Sequence, residues 1–164
     1  MIKLEADLSG LNNYVNKIGK LGEIAKISLS LLVKSGNLER RYQEIAKANL
    51  DSEGAFSGSR WTKSPDKYIN QKKKKNQSTK TLEKTGDSRK ELLSDKGVTS
   101  RLTSSNTAEV KPIGEAGRIY GYHAAGVGNL PDRNIGRLPK GKLDGFIQDF
   151  KGELDEAAKL IFRG

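Results

Sequence analysis

The chain has no cysteine and only one histidine among its 164 residues. Without cysteine it forms no disulfide, no thiolate metal site and no cysteine nucleophile, and it is compatible with a reducing compartment. The single histidine, His123, lies between Tyr122 and Ala124. We expect its ring to pack or to form a hydrogen bond, because no base-and-orienter arrangement surrounds it. The set of His, Cys and carboxylate ligands that a zinc site needs is also missing.

Long apolar runs and a targeting pattern are absent as well. No segment approaches the roughly 18 consecutive apolar residues that a membrane span requires. The first seven residues do not place a basic region before an apolar block, so they do not resemble a secretory signal. We therefore expect a soluble protein that is made in the cytoplasm and has no membrane partner.

The sequence also lacks the motifs of common enzymes. Four carboxylates near the C-terminus interleave with Lys151 and Lys159, as they do on a solvated helix face, whereas acid–base catalysis needs two carboxylates in different environments. Residues 126–128 (Gly-Val-Gly) are not followed by the Gly-Lys-Ser/Thr of a phosphate loop. These absences predict a protein that is not an enzyme and uses no cofactor. The carboxylates are Asp149, Glu153, Asp155 and Glu156.

What the sequence has in excess is positive charge. Thirty Lys and Arg residues oppose 20 Asp and Glu residues, which gives a net charge of +10. Between Arg60 and Asp95, 11 basic residues oppose five acidic ones, so most of the excess lies in this segment. Such a balance suits nucleic acid, an acidic protein surface or simple solubility, and does not choose between them.

Hydrophobic periodicity predicts one domain, residues 1–164, whose first two parts differ in character. Residues 1–50 carry apolar side chains at helical spacing; Gly19 and Gly22 are expected to loosen or end the first helix, and a later interruption is expected at Ser35 and Gly36. Residues 51–81 show no periodicity and are predicted to be an extended basic loop or arm, with a short helix near Tyr68 as an alternative.

The third part, residues 82–164, is predicted to contain a helix, a β-hairpin and a C-terminal helix. The helix covers 82–93, with a break near Gly86. Two β-branched runs, 98–103 and 107–113, flank turn residues and indicate the hairpin.

The C-terminal portion completes the predicted fold. Residues 118–126 are predicted to be a strand end that leads into a short helical turn. Residues 142–161 repeat apolar side chains at helical spacing. The fold class is therefore α+β: N-terminal and C-terminal amphipathic helices packed on a small antiparallel β-sheet, with a long basic loop.

The basic loop has three possible roles. It is a solvated loop, a contact with an acidic protein neighbour, or a direct contact with DNA. Aromatic side chains among lysines stack on bases or become buried at a partner interface. Because base reading usually uses Arg, Asn or Gln, lysines would contact DNA through its phosphates. The candidate contact residues are Trp61, Tyr68, Lys72, Lys73, Lys74, Lys75 and Arg133.

Several short motifs follow one another in a fixed order between residues 54 and 162. The motifs are 58–65 (GSRWTKSP), 72–75 (KKKK), 82–86 (LEKTG), 89–94 with the hairpin 98–113, 120–126 (YGYHAAG) and 130–135 (LPDRNI). This order is similar to that of the phage virion morphogenesis family, whose members are tail-completion or neck proteins. Asp87 and Ser88 replace the usual Leu after Thr-Gly, and Asn134 and Ile135 stand where Pro and Phe are usual.

The resemblance implies a structural virion assembly protein of a tailed bacteriophage, without catalysis. Such a protein forms a homo-oligomeric ring, a hexamer or a dodecamer, in the neck or at the upper end of the tail. It joins head to tail or completes the tail, so its partners are other neck, head-closure or tail-tube proteins. Its location is the virion, assembled in the host cytoplasm, with non-specific contact to phage DNA. The alternative is a basic nucleic-acid-binding module that contacts DNA phosphates through the Lys-rich loop.

Overall fold

The computed structural model describes residues 9–58, 60–83, 86–104, 107–126, 131, 133–139 and 144–162. In these ranges the chain forms six helices and one two-stranded antiparallel sheet, which confirms the predicted α+β class. The helices are α1 (Ser9–Lys34), α2 (Asn37–Asp51), α3 (Asp66–Lys74), α4 (Asp87–Leu92), α5 (Gly114–Ala124) and α6 (Asp144–Phe162). The strands are β1 (Val98–Ser104) and β2 (Thr107–Pro112).

The N-terminal helices are interrupted at one place only within the described chain. The break lies at Ser35 and Gly36, as predicted, and Gly36 has a φ of 73°, a left-handed conformation that glycine adopts without strain. The predicted ending of the first helix near Gly19 is wrong, because α1 continues through Gly19 and Gly22. A glycine costs a helix only about 1 kcal/mol, and the packing of α1 against α6 offsets that cost.

The core forms where α2 meets α4, α5 and the segment after α5. Leu50, Leu92, Tyr120 and Ile135 are almost completely buried there. Burial of each such side chain contributes roughly 1.5–3 kcal/mol. The buried amide of Asn49 donates hydrogen bonds to the carbonyl oxygens of Ile135 (2.9 Å) and Arg137 (3.0 Å), so α2 holds the segment after α5 in place.

The hairpin is confirmed. β1 and β2 pair antiparallel from Val98 opposite Pro112 to Leu102 opposite Ala108. The predicted turn residues 105 and 106 lie outside the described residues. The backbone N–H of Ser100 donates to Oε1 of Glu39 (2.9 Å), which ties the hairpin to α2.

The strand end predicted within 118–126 is wrong, because residues 118–124 belong to helix α5, which ends at Ala124. Ala116 and Tyr120, four residues apart, form its buried face. The carboxylate of Glu91, on α4, accepts hydrogen bonds from the backbone N–H groups of Glu115 (3.2 Å) and Ala116 (2.9 Å). A side chain from another helix therefore satisfies the first free donors of α5.

Helix α4 is shorter than the helix predicted at 82–93. Leu82 has a φ of 63° and Gly86 a φ of 85°, and these left-handed conformations keep the chain out of a helix until Asp87. The predicted break at Gly86 is confirmed, since Gly86 is the residue that precedes the helix. Thr85 lies outside the described residues.

Helix α6 is confirmed from Asp144 onward and packs mainly along α1. It is joined to α2 by a paired interaction: Nε and Nη2 of Arg41 donate to the two carboxylate oxygens of Asp149, at 2.7 and 3.1 Å. The sequence suggested that Asp149 belongs to a solvated carboxylate face. That prediction is wrong for Asp149, because its carboxylate is paired with Arg41. The predicted helix residues 142 and 143 lie outside the described residues.

The segment predicted as an extended loop, 51–81, has neither helix nor strand at 60–65 and 75–81, but it contains the short helix near Tyr68 that was the alternative. It contains a short 3₁₀ turn, Ala55–Ser57, and the helix α3. Glu53 connects its two ends: the Glu53 carbonyl accepts from the backbone N–H of Trp61 (2.7 Å), and Oε1 accepts from that of Thr81 (2.8 Å). The hydrogen bond from Thr81 is the main cause that lowers the pKa of Glu53, while burial acts in the opposite direction.

Candidate functional site

A cavity of about 520 Å³ lies beside α3, α4 and α5. This volume is in the range of roughly 300–1,000 Å³ that is common for small-molecule sites. Four stretches that are far apart in the sequence supply its walls. The lining residues are Thr62, Lys63, Ser64, Pro65, Tyr68, Lys72, Leu82, Glu83, Gly86, Ser88, Arg89, Ile119, His123, Pro131 and Arg133.

Trp61, a predicted partner contact, is part of the core of the chain. Its side chain is only 9% exposed and belongs to the buried cluster around Leu50. The ring lies directly over Gly54, where an added β-carbon would come within 2.5 Å of it. Trp61 therefore anchors the segment before α3, and in this fold it does not present a surface to a neighbour.

The four consecutive lysines separate into one buried and three exposed residues. Lys72 is 4% exposed, whereas Lys73, Lys74 and Lys75 are exposed. The Lys72 ammonium donates to the carbonyl oxygens of Lys80 (3.1 Å) and Glu83. Lys72 thus closes the loop that follows α3, and only the other three lysines are free to contact a partner.

Tyr68 lies at the boundary between the cavity and the surface. Its side chain is 45% exposed, and its ring centre is 5.2 Å from the Lys72 ammonium, which permits a cation–π contact. Burial lowers the pKa of Lys72, and the charge of Arg133 lowers it further, while Glu83 opposes both effects.

Arg133, also a predicted partner contact, is only 6% exposed and lies in the cavity wall. Its Nη2 donates to the carbonyl oxygen of Thr62 (2.8 Å), and its backbone N–H donates to that of His123 (3.0 Å). Its Nε is enclosed and has no hydrogen-bond partner among the described residues. Burial lowers the pKa of this guanidinium, although it remains charged at neutral pH.

His123 shares the cavity wall with Arg133. Its Nδ1 is buried and has no hydrogen-bond partner in the part of the chain that the structure describes, while the ring forms a hydrogen bond with the backbone of Pro131. Burial lowers the pKa of His123, and the charge of Arg133 lowers it further, so the ring is neutral at pH 7. The sequence indicated a packing or hydrogen-bonding histidine, and the Pro131 contact agrees with that expectation.

Two other charged residues of the cavity are matched to each other. Nη1 of Arg89 donates to Oε1 of Glu83 at 2.8 Å, and Nη2 pairs with Asp51. These hydrogen bonds raise the pKa of Arg89, that with Asp51 most. The negative charge of Glu83 is therefore directed toward Arg89.

The cavity and the buried position of Lys72 were not predicted from the sequence. A signal was present: Pro65, Tyr68, Ile69 and Lys72 are spaced as i, i+3, i+4 and i+7, which is one face of a helix. That spacing places Lys72 on the same side of α3 as Pro65 and Tyr68, the side that lines the cavity. No comparable signal exists for Arg133, because its environment is created by residues more than 60 positions earlier.

Comparison with known proteins adds no relative. No protein-family model, no curated protein and no solved structure matches the chain. Among the described residues no group of three or more His, Asp or Glu side chains is arranged to hold a metal ion. None of the described helices is long and apolar enough to cross a bilayer.

Proposed function

We propose that the chain is a structural assembly protein of a tailed bacteriophage that forms a ring in the neck or at the upper end of the tail. There it completes the tail or joins the head to it. One observation supports this assignment: the motifs of the family resemblance, dispersed in the sequence, lie around one cavity. They contribute 62–65, Leu82 with Gly86, His123, and Arg133 to its walls. Short sequence motifs that resembled the family only by chance would have no reason to line the same cavity.

A ring needs two different surfaces on each subunit, so that each copy contacts the next. We propose that the outer faces of α1 and α6 supply the contacts between copies, because Leu21 and Leu160 are 61% and 65% exposed on them. The exposed Lys73, Lys74 and Lys75 then face an acidic neighbour in the neck or tail. Single exposed apolar residues are common on monomers, so a direct measurement of assembly is needed.

Native mass spectrometry and negative-stain microscopy test the assembly. The wild-type chain, alone or mixed with tail-tube or head-connector proteins, is expected to form hexameric or dodecameric rings. A variant that carries Leu21→Glu and Leu160→Glu should shift toward monomers, because it places charge at apolar contacts. Gln148→Glu is the control, since it adds a carboxylate at another exposed position of α6. A chain that stays monomeric and binds no virion protein contradicts the proposal.

The alternative function, a nucleic-acid-binding module, is favoured by a different observation. Lys73, Lys74 and Lys75 follow one another at the end of α3, and no carboxylate of the described chain lies within salt-bridge distance of them. Such a cluster attracts phosphate backbones without reading sequence. Absence of binding to duplex or single-stranded DNA at low salt would exclude this function.

A further inference from the structure

Two buried cations line the same cavity without a carboxylate partner. Lys72 is 4% and Arg133 6% exposed, and neither forms a salt bridge with any carboxylate of the described chain. A buried charge without a counter-charge is costly, and each of these charges also disfavours the other. The wall of this cavity is therefore electrostatically matched to an anion.

Nearby carboxylates do not remove this excess. Glu83 is bound to Arg89, and the Glu53 carboxylate accepts the backbone N–H of Thr81. Glu53 attracts Lys72 and Arg133 at a distance, but it is a single charge and does not line the cavity. One positive charge of the buried pair stays uncompensated.

Hydrogen-bond donors remain beside these charges. The Lys72 ammonium has three N–H donors, and two of them are used in hydrogen bonds to carbonyl oxygens. The Arg133 guanidinium has five N–H donors, and the one on Nε is enclosed without a partner among the described residues. Thr62, Ser64 and Ser88 add hydroxyl groups to the lining. Donors that come from several directions suit a tetrahedral oxyanion better than a planar one.

We infer that this cavity binds a phosphate group, with Lys72 and Arg133 as its two charge partners. A phosphate monoester is negatively charged at pH 7 and has three strong acceptor oxygens, so it compensates the remaining positive charge and also accepts hydrogen bonds from several directions, which the two oxygens of a carboxylate do less well. The cavity is larger than a phosphate ion, and Leu82, Ile119 and Pro131 give it apolar wall. A small phosphomonoester therefore fits it, with free phosphate as the minimal ligand.

The only histidine of the chain reports on this site. NMR titration of the untagged wild-type protein, at constant ionic strength, measures the pKa of His123 with inorganic phosphate, with a nucleoside monophosphate and with acetate. Bound phosphate stabilises the imidazolium ring, so the pKa of His123 should rise from its depressed value in a saturable manner. A tighter response to the nucleotide identifies a phosphomonoester, and equal responses identify free phosphate.

Two results of this titration would overturn the inference. One is the absence of any saturable change at His123 with either phosphate compound. The other is an equal response to acetate, which shows a site for carboxylates. Because the measurement uses the wild-type chain, it remains decisive even where a variant fails to fold.

Variants locate the charge partners. Lys72→Met and Arg133→Met should each weaken phosphate binding at least about tenfold, since loss of a charge-assisted hydrogen bond costs roughly 1.5–3 kcal/mol. Lys73→Met is the matched control, because it removes the same charge from the same helix outside the cavity. Equal weakening in all three would show general attraction only and contradict the site. Ring formation is not needed for this test, so it can fail independently of the proposed function.

Discussion

Gly54 shows how a single residue fixes the position of Trp61. The backbone at Gly54 has a φ of 88°, and a β-carbon there would lie 2.5 Å from Cδ1 of the Trp61 ring. We predict that Gly54→Ala lowers the free energy of unfolding by roughly 2–5 kcal/mol, because left-handed strain of about 1–2 kcal/mol adds to an overpacking cost of about 1–3 kcal/mol. Urea or guanidinium denaturation measures this change.

Gly58 offers the matched control for that prediction. It also has a positive φ, 99°, but no atom lies within 4 Å of its would-be β-carbon. Gly58→Ala should therefore show only the backbone part of the cost, about 1–2 kcal/mol. Equal losses for the two variants would contradict the close packing of Trp61 against Gly54.

Residue type alone gave poor guidance to burial in this part of the chain. Lysine is seldom fully buried unless it is paired, so a run of four lysines predicts a solvated segment. Lys72 is buried because it lies on the face of α3 that lines the cavity, where two carbonyl oxygens accept hydrogen bonds from its ammonium group. Trp61 illustrates the same difficulty, because a tryptophan among basic residues suits a partner interface as well as a core. Its burial becomes clear only from its packing against Gly54.

At the scale of elements, α5 depends on a contact from α4. Glu91 accepts the backbone N–H groups of Glu115 and Ala116, as an N-terminal cap does. We predict that Glu91→Ala lowers the free energy of unfolding by about 0.5–2 kcal/mol. Lys90→Ala, an exposed change on the same helix, should alter it by less than about 0.5 kcal/mol. Urea denaturation of both variants measures these changes, and equal losses of unfolding free energy would contradict the capping role of Glu91.

This cap also explains which elements the sequence predicted. The hairpin and α6 were predicted because their patterns, β-branched runs around a turn and apolar residues at helical spacing, are local. Helix α5 was missed because its beginning is held by Glu91, more than 20 residues earlier, and because Gly117 and Gly121 weaken its helical signal. A local sequence pattern predicts a helix or hairpin only when interactions within that stretch of the chain stabilise it.

The contact between α2 and α6 predicts a dependence of stability on pH. The pKa of Asp149 is lowered, chiefly by its hydrogen bond with Arg41. Below the unfolded value of about 3.9 the unfolded chain binds more protons at this position than the folded chain does. The contribution of Asp149 is thus complete above that pH and is lost as the pH falls through the lowered folded value.

Asp149→Asn should therefore lower the free energy of unfolding at pH 7 and flatten its decline below about pH 4, where other carboxylates still contribute. Asp155→Asn removes the same charge from an exposed position of α6 and serves as the control. Denaturation across this pH range measures both variants. A decline that keeps its wild-type steepness in Asp149→Asn contradicts a stabilising role for the Arg41 pair.

For the molecule as a whole, the fold brings together what the sequence keeps apart. The order of the motifs is visible in the sequence, but their position around one cavity is not. That position depends on long-range contacts such as the hydrogen bond from Arg133 to Thr62. The same fold divides the basic residues predicted to contact a partner into two groups. Lys72 and Arg133 lie inside, where a small anion reaches them, and Lys73, Lys74 and Lys75 lie outside. The two groups of cations should therefore respond to different ligands.

Substitution of Lys73, Lys74 and Lys75 together by Gln tests what the outer group contacts. The variant lowers the net charge of +10 by three, and its free energy of unfolding should stay within about 0.5 kcal/mol of wild type, because the positions are exposed. If these lysines contact DNA phosphates, the slope of log K against log salt concentration becomes shallower by up to about 3. If they contact an acidic protein of the neck or tail, binding to that protein weakens while any DNA affinity keeps its slope. Unchanged binding to both would mean that the lysines only keep the chain in solution, since surface charge at this density needs no partner to be favourable.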